Sequence, residues 1–149
     1  MSTAPPARDP SPPQLVAGLW AFAALDLALA AFMAVAPHLF YTAIGPFGHA
    51  NDHYVRDVAT FYAASGVGLG VSIRRPSWRG PMLAFSTVQF ALHSVNHLFS
   101  IGEAHPLWMG YFDFFALLIA SVQLARLWQL AARAPRPASR PIAAETATP

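Results

Sequence analysis

The chain predicts an all-α membrane protein, a four-transmembrane-helix antiparallel up-down-up-down bundle, and three observations carry that expectation. Hydrophobic residues make up 55% of the 149 and charged residues only 11%, too apolar a balance for an ordinary soluble domain of this size. Residues 14–36, 81–101 and 107–125 form windows of 19 or more with at most one charged residue each, the length that a hydrocarbon core asks of a helix. A fourth window, 54–73, is uncharged after Asp57. Finally, eight of the nine arginines fall on one side of a bundle threaded through these windows, and only Arg56 on the other. That asymmetry places both termini and the second link in the cytoplasm.

The elements follow in order. Residues 1–13, with five prolines and the pair Arg8 and Asp9, read as a disordered N-terminal segment. The four-helix domain covers 14–131, with spans at about 14–36, 54–73, 81–101 and 107–128. Ala34-Val35-Ala36 resembles a signal-cleavage box, but the preceding apolar run is longer than a signal-peptide core and Pro37 follows the box, so the first span reads as a retained anchor. The links at 38–53 and 102–106 face outward, while Arg74, Arg75 and Arg79 crowd the inner link. These connections are too short to cross over, which makes neighbouring spans antiparallel. Residues 132–149, rich in Pro, Ala and Arg, read as a disordered cytoplasmic tail.

Composition removes several chemistries. With no cysteine, disulfides, iron–sulfur ligation and thiol nucleophiles are excluded. Every basic residue is arginine, so a Schiff-base or P-loop lysine is excluded as well. The net charge of +2 and pI near 9.5 come from arginines that flank the spans, and they read as topology signals rather than a nucleic-acid surface. The run Gly66-Val67-Gly68-Leu69-Gly70 lacks the spacing and the strand-to-helix setting of a nucleotide loop. Gly66 and Gly70 instead suit close helix packing.

Candidate chemistry gathers in the outer half. On the third span Ser86, Gln89, His93, Asn96, His97 and Ser100 fall within an arc of roughly 100° at a helical pitch. Such a stripe faces the bundle interior, because unpaired polar groups are costly in hydrocarbon. Thr87 and Ser94 lie off the stripe, where they suit bonds to their own helix's carbonyls. By depth, Asp57 and Asp113 share the level of His97, and Asp26 is nearer that of His93 or Gln89. His53, one turn before Asp57, shares its face. The candidate ligand-binding set is therefore Asp57, His93, Asn96, His97, Asp113, Asp26 and His53.

Three readings of this set stand side by side. His93 and His97 have the i, i+4 spacing that puts two imidazoles on one helix face, and with Asp57 or Asp113 they make a two-histidine, one-carboxylate set suited to a divalent metal. A pocket ringed by aromatics with a few polar groups suits a quinone or another small apolar ligand. In the third reading the same residues only hydrogen-bond the helices together. Haem fits poorly, since its two axial ligands come from opposite sides of the ring and these histidines share one face.

The segments NDHYVRDVATFYAASGVGLG and QFALHSVNHLFSIGEAHP, joined by the arginine-rich link, resemble the small DoxX-like four-helix bacterial membrane proteins over roughly residues 14–130. The sharpest part of the likeness is the Arg56-Asp57 start of the second span and the His93, Asn96, His97 set. The resemblance implies a multi-pass protein of the bacterial inner membrane and, for some members, a tie to quinone-linked redox chemistry. Lacking cysteine, this chain departs from any dithiol relay. Two function classes result: a ligand-binding or redox-accessory membrane protein, or a structural subunit that binds a second copy or a partner in the bilayer.

Overall fold

The computed structural model describes residues 11–133, which are all-helical with no strand among them. Helix α1 covers Pro13–Val35, α2 Pro37–Ala43, α3 Asp52–Arg74, α4 Pro76–Ser100 and α5 Leu107–Arg133, with a 3-10 turn at Ile101–Glu103 between the last two. The expected N-terminal segment up to residue 10 and the tail from residue 134 lie outside the described residues. The last helix continues to Arg133, beyond the expected end near 128.

Local chemistry explains the boundaries. Pro13, Pro37 and Pro76 open α1, α2 and α4 in first-turn positions, where a missing N–H costs nothing. Asn51 caps α3, its side-chain oxygen accepting from the Tyr54 backbone N–H at 3.0 Å, as an N-cap should. The other end of α3 is closed from a distance. Arg79, 4% exposed, donates through Nε to the Ser72 carbonyl and through Nη2 to the Ile73 carbonyl, both at 3.0 Å, while Nη1 reaches Ser11 Oγ. Two carbonyls orphaned at the helix terminus thereby gain charged donors. Arg79 is thus more than a topology signal. Helix α4 begins five residues before the expected start and runs through Pro81.

The four long helices form a ring in chain order. Helix α1 lies along α3, α3 against α4 and α4 along α5, while α1 and α5 touch over a short stretch. The core between them contains Leu15, Leu19, Met33, Leu69, Leu83 and Leu124, all at 1% exposure or less. Small residues set the approach. A Cβ added to Gly66 would come within 2.8 Å of Leu27 and 3.1 Å of the Ala23 carbonyl on α1, so this glycine permits the α1–α3 contact as its spacing suggested. Gly70 has open space around it and takes no part.

Gly110 is the tightest backbone approach. An added Cβ would lie 2.5 Å from the Ile101 carbonyl oxygen, and the obstacle is main chain, which cannot swing aside. Gly110→Ala is expected to lower stability by about 1–3 kcal/mol through overpacking. Gly102→Ala, where nothing lies within 4 Å, serves as the neutral control, and equal thermal unfolding of the two variants in detergent would contradict this account.

Two of the helices, α1 and α5, are long and apolar enough to cross a membrane. Helices α3 and α4 have the length, at 23 and 25 residues, but less apolar character. Their hydropathy is diluted by Asp52, Arg56 and Asp57 at the start of α3 and by Arg79 and the polar stripe on α4.

Candidate functional site

A cavity of about 600 Å³ lies among the four long helices at the end that carries α2 and the 3-10 turn. Its walls are built from helix faces. Helix α1 contributes Leu25, Leu29 and Met33; α3 contributes Val55, Val58 and Tyr62; α5 contributes Asp113, Ala116 and Leu117. From α4 come Phe90 and, from the C-terminal part of the polar stripe, His93, Asn96, His97 and Ser100. Helix α2 and the loop after it form the cover, through Phe40, Tyr41, Ile44 and Phe47.

The cover is pinned at two points. Tyr41 donates its hydroxyl to the Gly48 carbonyl at 2.6 Å, with Gly48 at φ +60, a left-handed conformation that glycine tolerates. Phe47 pairs with Ala104 as an isolated antiparallel bridge, and the His105 N–H donates to the Pro46 carbonyl at 3.3 Å. This short helix and its strap were not legible as structure in the sequence, where 38–53 reads as a link.

Inside, three side chains form a chain of polar contacts. The Tyr62 hydroxyl lies 3.4 Å from His93 Nδ1, and His93 Nε2 lies 3.1 Å from His97 Nε2. A single proton serves each contact, so the tautomers are coupled: if Tyr62 donates to His93, His93 donates to His97 and the His97 proton sits on Nδ1. His97 Nδ1 is buried and has no hydrogen-bond partner among the described residues. The Phe47 ring packs T-shaped against this ring, with centroids 4.6 Å apart. Asp113, 8% exposed, likewise keeps Oδ2 buried and unpaired. The largely apolar cavity is thus lined by two residues that each keep one buried polar atom unpaired, and a rotation of either side chain toward the cavity would offer that atom to a ligand with a hydrogen-bonding oxygen or hydroxyl.

The expected set divides. His93, Asn96, His97 and Asp113 line the cavity. Asp26 is fully buried, with neither oxygen hydrogen-bonded among the described residues, but it is not part of the cavity wall; Ser65 and Tyr62 of α3 belong to its polar surroundings. Asp57 and His53 are brought to each other, with Oδ2 and Nε2 3.5 Å apart, and both are largely exposed. They do not join the histidines of α4. The reason is azimuth: α3 turns Val55, Val58 and Tyr62 to the cavity, and Asp57 lies roughly 130° around the helix from the middle of that face. The set His93, His97 and Asp57 is therefore not assembled for a metal, and no group of three His, Asp or Glu side chains converges among the described residues.

Two residues were missed. Tyr62 is the partner of His93, and its place on the buried face with Val55 and Val58 at helical spacing was the available signal. Ser94, expected to bond its own helix, instead donates to the Phe114 carbonyl of α5 at 3.4 Å; Thr87 does bond its own helix, at the Leu83 carbonyl. Comparison of the chain with protein-family models, with curated proteins and with solved structures returns no match.

Proposed function

We propose that this chain is a DoxX-like, multi-pass protein of the bacterial inner membrane, a four-span antiparallel up-down-up-down bundle with cytoplasmic termini, whose outer-half cavity binds a quinone or a similar small apolar molecule with a hydrogen-bonding head. The observation that carries this reading is the pairing of an apolar cavity with two buried, unpaired polar atoms, His97 Nδ1 and Asp113 Oδ2. Native proteins rarely leave such atoms unmatched. A quinone, when bound, supplies reversible two-electron chemistry; the residues that would hold its head, by turning their unpaired atoms toward the cavity, are His97 and Asp113.

Four spans are supported by length and by surface. Helices of 23 and 25 residues extend about 35 Å at 1.5 Å per residue. Helix α4 turns Phe85, Val88, Leu92, Val95 and Phe99 outward, a lipid-facing row at three- and four-residue steps, while Ser86, Gln89, His93 and His97 of its polar stripe are buried or half-buried and Asn96 is exposed. Orientation rests on the arginines.

The test is extraction. Protein purified in mild detergent is expected to carry a quinone recoverable by organic solvent, and His97→Ala to lower its content at least tenfold, about 1.4 kcal/mol of binding, with an unfolding temperature close to that of wild type stripped of the quinone. A second reading, a structural or partner-binding subunit, is favoured by the Tyr62–His93 and Ser94–Phe114 contacts, which tie α3 to α4 and α4 to α5. Under that reading His93→Ala and His97→Ala both lower the unfolding temperature and no ligand is recovered.

A further inference from the structure

The ring of helices has one open seam. Helices α1 and α5 close it only through a short contact, and that contact is tight at Gly18, where an added Cβ would lie 2.5 Å from a methyl of Leu127. Gly18 sits about two turns along α1 from Leu25, at the end away from the cover. A smaller void of about 450 Å³, which includes Phe22 and Gln123 in its wall, lies along the same seam at the pinch. The large cavity takes up the rest.

The residues that wall the large cavity on this side also face outward. Leu25 on α1 is 44% exposed and Phe112 on α5 is 60% exposed, Ala116 on α5 is exposed, and all three line the cavity. A side chain that borders both the inside and the outside marks an opening: Asn51, Tyr54 and Asn96 do so at the cover end, and Leu25, Phe112 and Ala116 do so along the seam. The three at the seam are apolar, so that opening faces hydrocarbon without leaving a polar group unsatisfied.

We propose that the seam between α1 and α5 is a lateral portal from the bilayer, and that the ligand is a chain-bearing, lipid-soluble molecule whose head reaches His97 and Asp113 while its hydrocarbon chain leaves between Leu25 and Ala116. This rests on the reading of the cavity as a ligand site and narrows the class: the ligand partitions from the membrane rather than entering from water. The alanine at 116 leaves room for a chain, and the pinch at Gly18 and Leu127 holds the two helices together below it.

The experiment compares two probes on the full chain reconstituted in phosphatidylcholine vesicles: a benzoquinone with a ten-carbon tail and the same ring without the tail, each titrated by quenching of tryptophan fluorescence. Wild type is expected to bind the tailed probe at least tenfold more tightly. Ala116→Leu, and independently Ala116→Phe, are expected to remove that advantage, bringing the tailed probe to the affinity of the tailless ring in the same variant. Equal affinity of wild type for both probes, or undiminished preference for the tailed one in both variants, overturns the portal and leaves the cavity reading standing. Loss of both probes in both variants also overturns it, because Ala116 would then belong to the head site. Absence of any binding by wild type removes the cavity reading, and the portal with it.

Discussion

Arg79→Ala is expected to cost about 3 kcal/mol or more of stability, a larger loss than that expected from Gly110→Ala. The guanidinium is 4% exposed and makes charged hydrogen bonds to the Ser72 and Ile73 carbonyls and to Ser11. Bonds to a charged group contribute roughly 1.5–3 kcal/mol each, and alanine would leave two buried carbonyls at the end of α3 without donors. Arg79→Lys is expected to recover only part of the loss, since a single ammonium cannot reproduce the planar fork that serves three acceptors. Thermal and chemical unfolding in mild detergent measure both. An alanine variant as stable as wild type would mean that water or lipid headgroups satisfy the same carbonyls.

Asp26→Leu is expected to act in the opposite direction. The carboxyl group is fully buried in the middle of α1, and neither oxygen has a hydrogen-bond partner among the described residues. Leucine has the same branched heavy-atom skeleton, so the site keeps its shape while the desolvation penalty disappears. An apolar isostere in place of an unsatisfied buried group is expected to stabilise by about 1–3 kcal/mol. Asp26→Asn is the informative companion, because it keeps the polar atoms and should gain little. If Asp26→Leu instead lowers the unfolding temperature, the carboxyl is satisfied within the folded chain by the Ser65 hydroxyl, which adjoins it without meeting hydrogen-bond geometry.

What could be seen in the sequence followed what periodicity encodes. Apolar runs of the right length gave the helices, and the i, i+4 spacing of His93 and His97 with Asn96 between them put these residues on one face, where they line the cavity with Asp113. Depth along a helix follows from counting residues, so Asp57 could be assigned to the level of His97. Rotation about the axis could not, because the start of α3 carries polar residues on more than one face, and only packing against α1 and α4 decides which face is buried. Long-range roles were equally hidden. Arg79 closes a helix that ended several residues earlier, and Ser94 bonds across to α5; neither pattern leaves a local mark. Helix α2 escaped because seven residues are too few to establish a period.

The ring is built of two tightly packed pairs, α1 with α3 and α4 with α5, and the chain passes from one pair to the other through a single residue, Arg75. Both pairs contribute walls to the cavity, so neither half of the chain contains it. A molecule that occupies the cavity therefore binds only after the second pair has been made and has docked against the first. By mass action it adds its own binding free energy to that docking. On the proposed reading, a ligand in the cavity would hold the two halves of the fold together.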